Sequence, residues 1–278
     1  INKRDSSGIY VLLVHKNMSD WVSEALREAG AEVVEGVGGW DAVRLAHSEI
    51  FVKAVSRRET DVLRAVAVAD TALSKRRAVF YVGGTSMAGL HTPRGGQVFN
   101  ATVYIAKKVG ASVLSIDRHF PLGTWELHLE HKFPLYVVYG GAEGPSHRQV
   151  ARRGRGAVAF PLPPGAGDRS FERVLSFIDH TSEGPLAVQL GFDIHRDDPT
   201  GYFFASERFY YLLGRALARR EFYISLECPS TPGVFKRALA SLLAGVAGGE
   251  APAAEPYRES EAVQREVELL LRRARRLL

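Results

Sequence analysis

Cysteine is almost missing from this chain: Cys228 is the single one among 278 residues. No internal disulfide can form, which fits a reducing compartment. No apolar run approaches the ~18 residues that a membrane span needs, so no membrane association is expected. The opening residues carry no signal-peptide pattern, and a cytoplasmic protein is the expectation. There is no internal repeat, so a repeat array is not expected. No aromatic-rich basic motif marks a nucleic-acid fold. Methionine is scarce, at two residues, while Arg and Ala are plentiful. That balance leans towards a thermophile.

What is present is an ordinary globular composition, 46% hydrophobic with a net charge of +5. Arginine is spread along the chain, so the charge reads as a basic surface. Short apolar runs alternate with helical periodicity. Strands are expected at 9–14, 31–37, 78–82, 113–116, 135–139, 186–190 and 222–226. Helices are expected at 18–29, 41–55, 60–73, 99–109, 207–218 and 233–246, with another starting at 171–177. Regular βα alternation means a parallel-rich central sheet of about seven or eight strands between helical layers. Ligands in such sheets bind at the carboxyl ends of the strands. Gly83, Asp117, Gly140, Asp193 and Glu227 fall there.

Residues 1–246 read as one α/β domain. The stretch 247–258, AGGEAPAAEPYR, reads as a linker by composition. Residues 259–278 then form an amphipathic helix, with Val263, Val267, Leu270, Leu271, Ala274 and Leu278 on one face. Such a helix either packs on its own domain or supplies a dimer or partner contact.

The run Val113-Leu-Ser-Ile116 ends in Asp117-Arg-His119. Side chains at i and i+2 of an extended chain share a side, so this carboxylate and imidazole converge. A second strand ends at Asp193. Two acids and one imidazole on neighbouring strand ends make three ligands, with a position left open for water, as catalytic zinc is usually held. Without a thiolate in that set, iron, manganese or cobalt also suits it. Cys228 reads as a buried thiol rather than a ligand, and His47 as a structural residue of its helix.

Read in order, these pieces resemble the histone deacetylase superfamily, including its acetoin-utilisation and acetylpolyamine amidohydrolase branches. The likeness covers roughly residues 40 to 246. DAVRLAHSEIFVKAV (41–55) resembles the family's early L-x-x-V-H-x-x-x-Y helix. GGQVFNATVYIAKK (95–108) resembles GFCxFNNxAIAA, and IDRHFPLGT (116–124) resembles D-x-H-H-G-N-G-T. FPLPPGAGDRSF (160–171) is similar to VPLPPGxGDxxY, and LGFDIHRDDPTG (190–201) to xGFDAHxxDPLG. LECPSTPGVFKRALASLLAGV (226–246) stands where the family has LEGGYNPxxLAxA. The resemblance implies an arginase–deacetylase fold, with zinc held by Asp117, His119 and Asp193.

The departures fall where that family's catalytic groups belong. Counting back from Phe99-Asn100, its histidine pair falls on Ser86 and Met87. The acids that support the pair fall on Ser115 and Leu122, and the transition-state tyrosine on Ser230. Neither Ser86 nor Met87 can take a proton from a metal-bound water near neutral pH. A serine hydroxyl at 230 is several ångströms too short to reach a tyrosine's oxyanion.

Three functional readings stand at this point. In the first, the chain is a divergent deacetylase-like protein with a metal site and a degenerate acid/base relay, serving a binding or regulatory role. In the second, it is a divergent zinc amidohydrolase acting on an acetylated amine or another amide, with His91 or His195 as substitute base. In the third, it associates with nucleic acid through its basic surface, which only Arg152, Arg153, Arg155 and the C-terminal arginines support. The ligand class implied by the first two is a small or acetylated molecule.

Overall fold

Eight apolar runs of three to six residues become the strands of one sheet in the computed structural model, which describes residues 10–142, 156–255 and 257–277. The strands are β1 (Val11–His15), β2 (Glu32–Val34), β3 (Arg77–Tyr81), β4 (Ser112–Ile116), β5 (Leu135–Gly140), β6 (Ala157–Leu162), β7 (Leu186–Leu190) and β8 (Phe222–Leu226). Their spatial order is β2-β1-β3-β8-β7-β4-β5-β6, and every pairing is parallel. A parallel sheet is buried on both faces, so its strands read as continuous apolar runs rather than alternating ones. The inner strands β4, β7 and β8 are buried at every position.

Alternate residues of each strand feed two cores. On one face Leu114, Ile116, Val188, Leu190, Ile224 and Leu226 pack in one cluster. Four helices cover them: α1 (Trp21–Glu28), α7 (Asp168–Thr181), α8 (Glu207–Leu217) and α9 (Pro232–Ala247). On the other face Leu13, Phe80 and Tyr223 meet α2 (Trp40–Ala46), α3 (Glu49–Val55), α4 (Glu59–Lys75) and α5 (Ala101–Val109). Val113, Val137 and Ala187 meet α5 and α6 (Leu122–His131) there. The α/β/α layering is the arrangement expected from the sequence.

Some elements differ from the sequence reading. The helix expected over 41–55 is two helices. His47 is extended at ψ 160°, and Ser48 caps the second helix by accepting from the Phe51 N–H. A buried role fixes the break: His47 Nδ1 donates to Gly89 O at 2.7 Å, and its Nε2 accepts from the Asn100 N–H at 3.0 Å. Helix α6 stands at Leu122–His131, where no element is expected from the sequence. Strand β6 lies inside the Pro-rich motif, where Pro161 is tolerated because β6 is the sheet edge.

The C-terminal helix α10 (Glu261–Arg275) docks on that edge. It buries Val263, Val267, Leu270, Leu271 and Ala274 in the larger core. A buried aliphatic side chain contributes about 1.5–3 kcal/mol, so this face belongs to the fold of this chain. The stretch leading into α10 is also held. Tyr257 stacks on Phe204, and Glu259 accepts from the Gly167 and Ser170 N–H groups at 3.1 and 2.9 Å, satisfying the amino end of α7. The arginines at 152, 153 and 155 lie outside the described residues. Among the described residues, no helix is long and apolar enough to cross a membrane.

Candidate metal centre

The strand order decides where a site can form. The chain leaves β3, skips two places, and lays down β4; β7 and β8 later fill the gap. A crevice at the carboxyl ends follows from that switch. Asp117 and His119 follow β4, Asp193 follows β7, and Cys228 follows β8, so three adjacent strands converge there.

One ligand atom from each of Asp117, His119, Asp193 and Cys228 lies within 4.8 Å of all the others. His119 Nδ1 stands 2.8 Å from Asp117 Oδ1 and 3.0 Å from Asp193 Oδ2. Cys228 Sγ is 3.6 Å from the same nitrogen. Asp117 and Asp193 are buried, at 3% and 5% exposure. Backbone donors orient them. The His119 N–H donates to Asp117 Oδ1 at 2.8 Å, and the Arg118 N–H to Asp193 Oδ1 at 3.1 Å. Asp193 Oδ2 shares the one His119 Nδ1 with Asp117 Oδ1, and the second oxygen of Asp117, Oδ2, is buried with no hydrogen-bond partner. A buried carboxylate oxygen left so is costly unless a cation or proton satisfies it. Gly191 makes room for them: a β-carbon there would stand 2.3 Å from Asp117 Oδ2 and 2.7 Å from Asp193 Oδ1.

The electrostatics point the same way. Burial, then the neighbouring Asp193 charge, pushes the Asp117 carboxyl above its usual range. Burial, with the two carboxylates adding to it, raises the Cys228 thiol. Hydrogen bonds to Asp117 and Asp193 raise His119 to about 10. This is a concentration of negative charge that favours a positive one. The donors present — two carboxylates, an imidazole and a thiol — are zinc ligands by type. These residues therefore fit the metal that the sequence motifs imply.

Cys228, which the sequence reading set apart as a buried thiol, stands beside the three expected ligands. It carries no spacing motif, and only the adjacency of β8 and β7 brings its sulfur to the cluster. Arg118 was also missed. Its Nη2 lies 2.8 Å from His119 Nε2, where a metal-binding histidine usually meets an acceptor.

The substitute-base candidates lie elsewhere. His91 is on an exposed loop with Nδ1 2.7 Å from the Ser48 hydroxyl. His195 is fully buried two residues after Asp193, accepting from the Asp197 N–H at 3.0 Å with Nε2 3.4 Å from Glu207. Burial lowers its pKa. Ser230 sits in the left-handed region at φ 60°, and its hydroxyl donates to Asp198 at 2.5 Å. Ser86 and Met87 form a turn held from behind. Glu227 accepts from the Thr85 and Ser86 N–H groups at 2.8 and 3.2 Å, and Gln97 accepts from the Met87 N–H at 2.6 Å. Ser115 is buried with its hydroxyl unpartnered, and Leu122 opens α6 partly exposed.

The crystal structure of the HDA15 HD domain, a histone deacetylase, is similar to this chain at a TM-score of 0.74 and 14% identity, covering 95% of this chain and 94% of that one. No protein-family model matches the sequence. No curated protein matches it either. The structural likeness, with the all-parallel sheet order, gives this chain the histone deacetylase-superfamily fold of the arginase–deacetylase type.

Proposed function

We propose that this chain holds one divalent cation, most suitably zinc, on Asp117, His119 and Asp193, and that it does not hydrolyse acetyl-lysine. Its role is then binding or regulation through a deacetylase-shaped site. A bound ion of this kind polarises a carbonyl and acidifies a water when a substrate can reach it. The protein's own part in hydrolysis would be to take a proton from that water and deliver one to the leaving amine. An amine leaves poorly unless it is protonated.

The observation that carries the reading is the company His119 keeps. Among the described histidines it is the only one in the carboxylate cluster. Both nitrogens of His47 are committed to backbone groups. His195 is sealed in the core, and His91 is exposed beside Ser48. General acid/base help contributes roughly 10²–10⁴-fold, and an oxyanion donor about 10²–10³-fold. Ser86, Met87 and Ser230 supply neither at the family's positions.

Arg118 favours a second reading, in which the two carboxylates are balanced by His119 and the guanidinium, and no metal is needed. Elemental analysis of protein purified without chelator separates the two. The metal reading expects close to one equivalent of zinc per chain, lost in Asp193→Ala. Protein that carries none, and takes up none from added zinc, overturns it.

A further inference from the structure

Three protein ligands leave a zinc ion open to water; four close it. We infer that Cys228 is the fourth ligand, so that the ion ties together the ends of β4, β7 and β8 in a closed site of two carboxylates, one imidazole and one thiolate. The inference rests on the metal reading above and decides what kind of metal site it is.

The spacing supports it. Zinc bonds of ~2.0–2.1 Å to nitrogen and ~2.3 Å to sulfur, at tetrahedral angles, put those two ligand atoms about 3.5–3.6 Å apart. Cys228 Sγ lies 3.6 Å from His119 Nδ1. The two carboxylate contacts to that nitrogen, at 2.8 and 3.0 Å, are somewhat shorter than the ~3.3 Å of a loaded tetrahedral site. Only a few tenths of an ångström of opening separates them from it.

A second observation points to a cation independently of the cysteine. Asp117 Oδ2, on a side chain more than nine-tenths buried, has no hydrogen-bond partner, and the equally buried Asp193 Oδ2 shares the one His119 Nδ1 with Asp117 Oδ1. The two carboxylates sit side by side over Gly191, where one β-carbon would stand 2.3 Å from Asp117 Oδ2 and 2.7 Å from Asp193 Oδ1.

The backbone also presents the sulfur from a fixed place. The Glu227 N–H donates to Leu190 O at 2.9 Å, and the Phe192 N–H donates to Cys228 O at 2.7 Å. These two bonds continue the β7–β8 ladder past its last residues and lock Cys228 beside the Gly191–Asp193 turn. Loading then needs little rearrangement: a zinc ion enters, the thiol proton and the His119 Nδ1 proton leave to solvent, and Nε2 carries the remaining imidazole N–H. Arg118 Nη2 lies 2.8 Å from that nitrogen, so it must turn away. With the fourth position taken by sulfur, no substrate carbonyl can bind unless Cys228 lets go.

Because Cys228 is the only cysteine of the sequence, every thiolate signal belongs to it. Cobalt(II) is titrated into chelator-treated full-length protein and into Cys228→Ser. Expected for the wild type are a near-ultraviolet thiolate-to-cobalt charge-transfer band and strong visible bands of a four-coordinate ion, saturating together near one equivalent. The serine variant loses the charge-transfer band and binds zinc at least about 10–100-fold more weakly, the loss that even an outer partner of a site brings. A readout without mutation is alkylation of Cys228 in the wild type, which zinc should slow at least tenfold. Cobalt binding with no charge-transfer band, together with alkylation unchanged by zinc, overturns the cysteine ligand and leaves the three-ligand site standing. If neither metal binds at all, both fall.

Discussion

Gly191 approaches Asp117 so closely that a β-carbon on it would lie 2.3 Å from the carboxylate oxygen Oδ2. The backbone conformation at this position is not left-handed, so alanine is excluded by the neighbouring carboxylates and not by its own torsions. Gly191→Ala must therefore push Asp117 and Asp193 apart. Zinc affinity should fall at least about tenfold, with a modest loss of stability of about 1–3 kcal/mol from overpacking. Competition against a chromophoric chelator, with thermal unfolding alongside, measures both. Wild-type affinity in the alanine variant would mean that the cluster is not where the metal binds.

Glu227 is a second test of how the site is built. Its buried carboxylate accepts from the Thr85 N–H and hydroxyl, the Ser86 N–H and the Ser225 hydroxyl, at 2.7–3.2 Å. Two of these donors are hydroxyls, which can rotate and accept instead. An amide can therefore put its oxygen on the two N–H groups and its NH₂ on the hydroxyls. Glu227→Gln should cost about 1 kcal/mol, and Glu227→Ala about 3 kcal/mol or more, because it strands buried donors. Denaturant midpoints of the two variants decide. Equal losses would mean that the network does not hold the Thr85–Ser86 turn.

His47 gives the protein a pH dependence with a definite sign. Burial holds it at about 4, below the ordinary histidine value of 6.5. Its Nε2 already accepts from Asn100, so a proton there would oppose an N–H. Between those two values the unfolded chain binds more protons than the folded one. The contribution is thus full above the unfolded pKa and is lost as pH falls through the folded pKa. A shift of this size corresponds to about 3 kcal/mol. Urea unfolding of chelator-treated wild type and His47→Gln, compared at about pH 7 and about pH 4.5, isolates it. The wild type should lose more stability than the variant over that range. Parallel losses would contradict the assignment.

The layered parallel sheet was legible because fully buried strands and amphipathic helices carry different periods, and here they alternate. Asp117 and His119 were legible for the same local reason: two residues apart at a strand end, they share a side. Asp193 followed from its place after a buried run. What was not legible depends on topology. Cys228 is distant in sequence from every other member of the cluster, and nothing beside it signals a ligand. Helix α6 begins with Leu122-Gly123-Thr124, which locally reads as a turn. Gly123 is needed there because a β-carbon would meet the Met87 and Ala88 backbone at about 2.5 Å. The break at His47 is set by Gly89 and Asn100, more than forty residues away, and leaves no trace in the apolar spacing of 41–55.

The most direct measurement is turnover of an acetyl-lysine peptide by protein whose zinc content is determined on the same sample. The account predicts a loaded protein, with close to one zinc per chain, whose hydrolysis does not exceed that of Asp193→Ala. Robust hydrolysis that rises with zinc occupancy and vanishes in Asp193→Ala would contradict it.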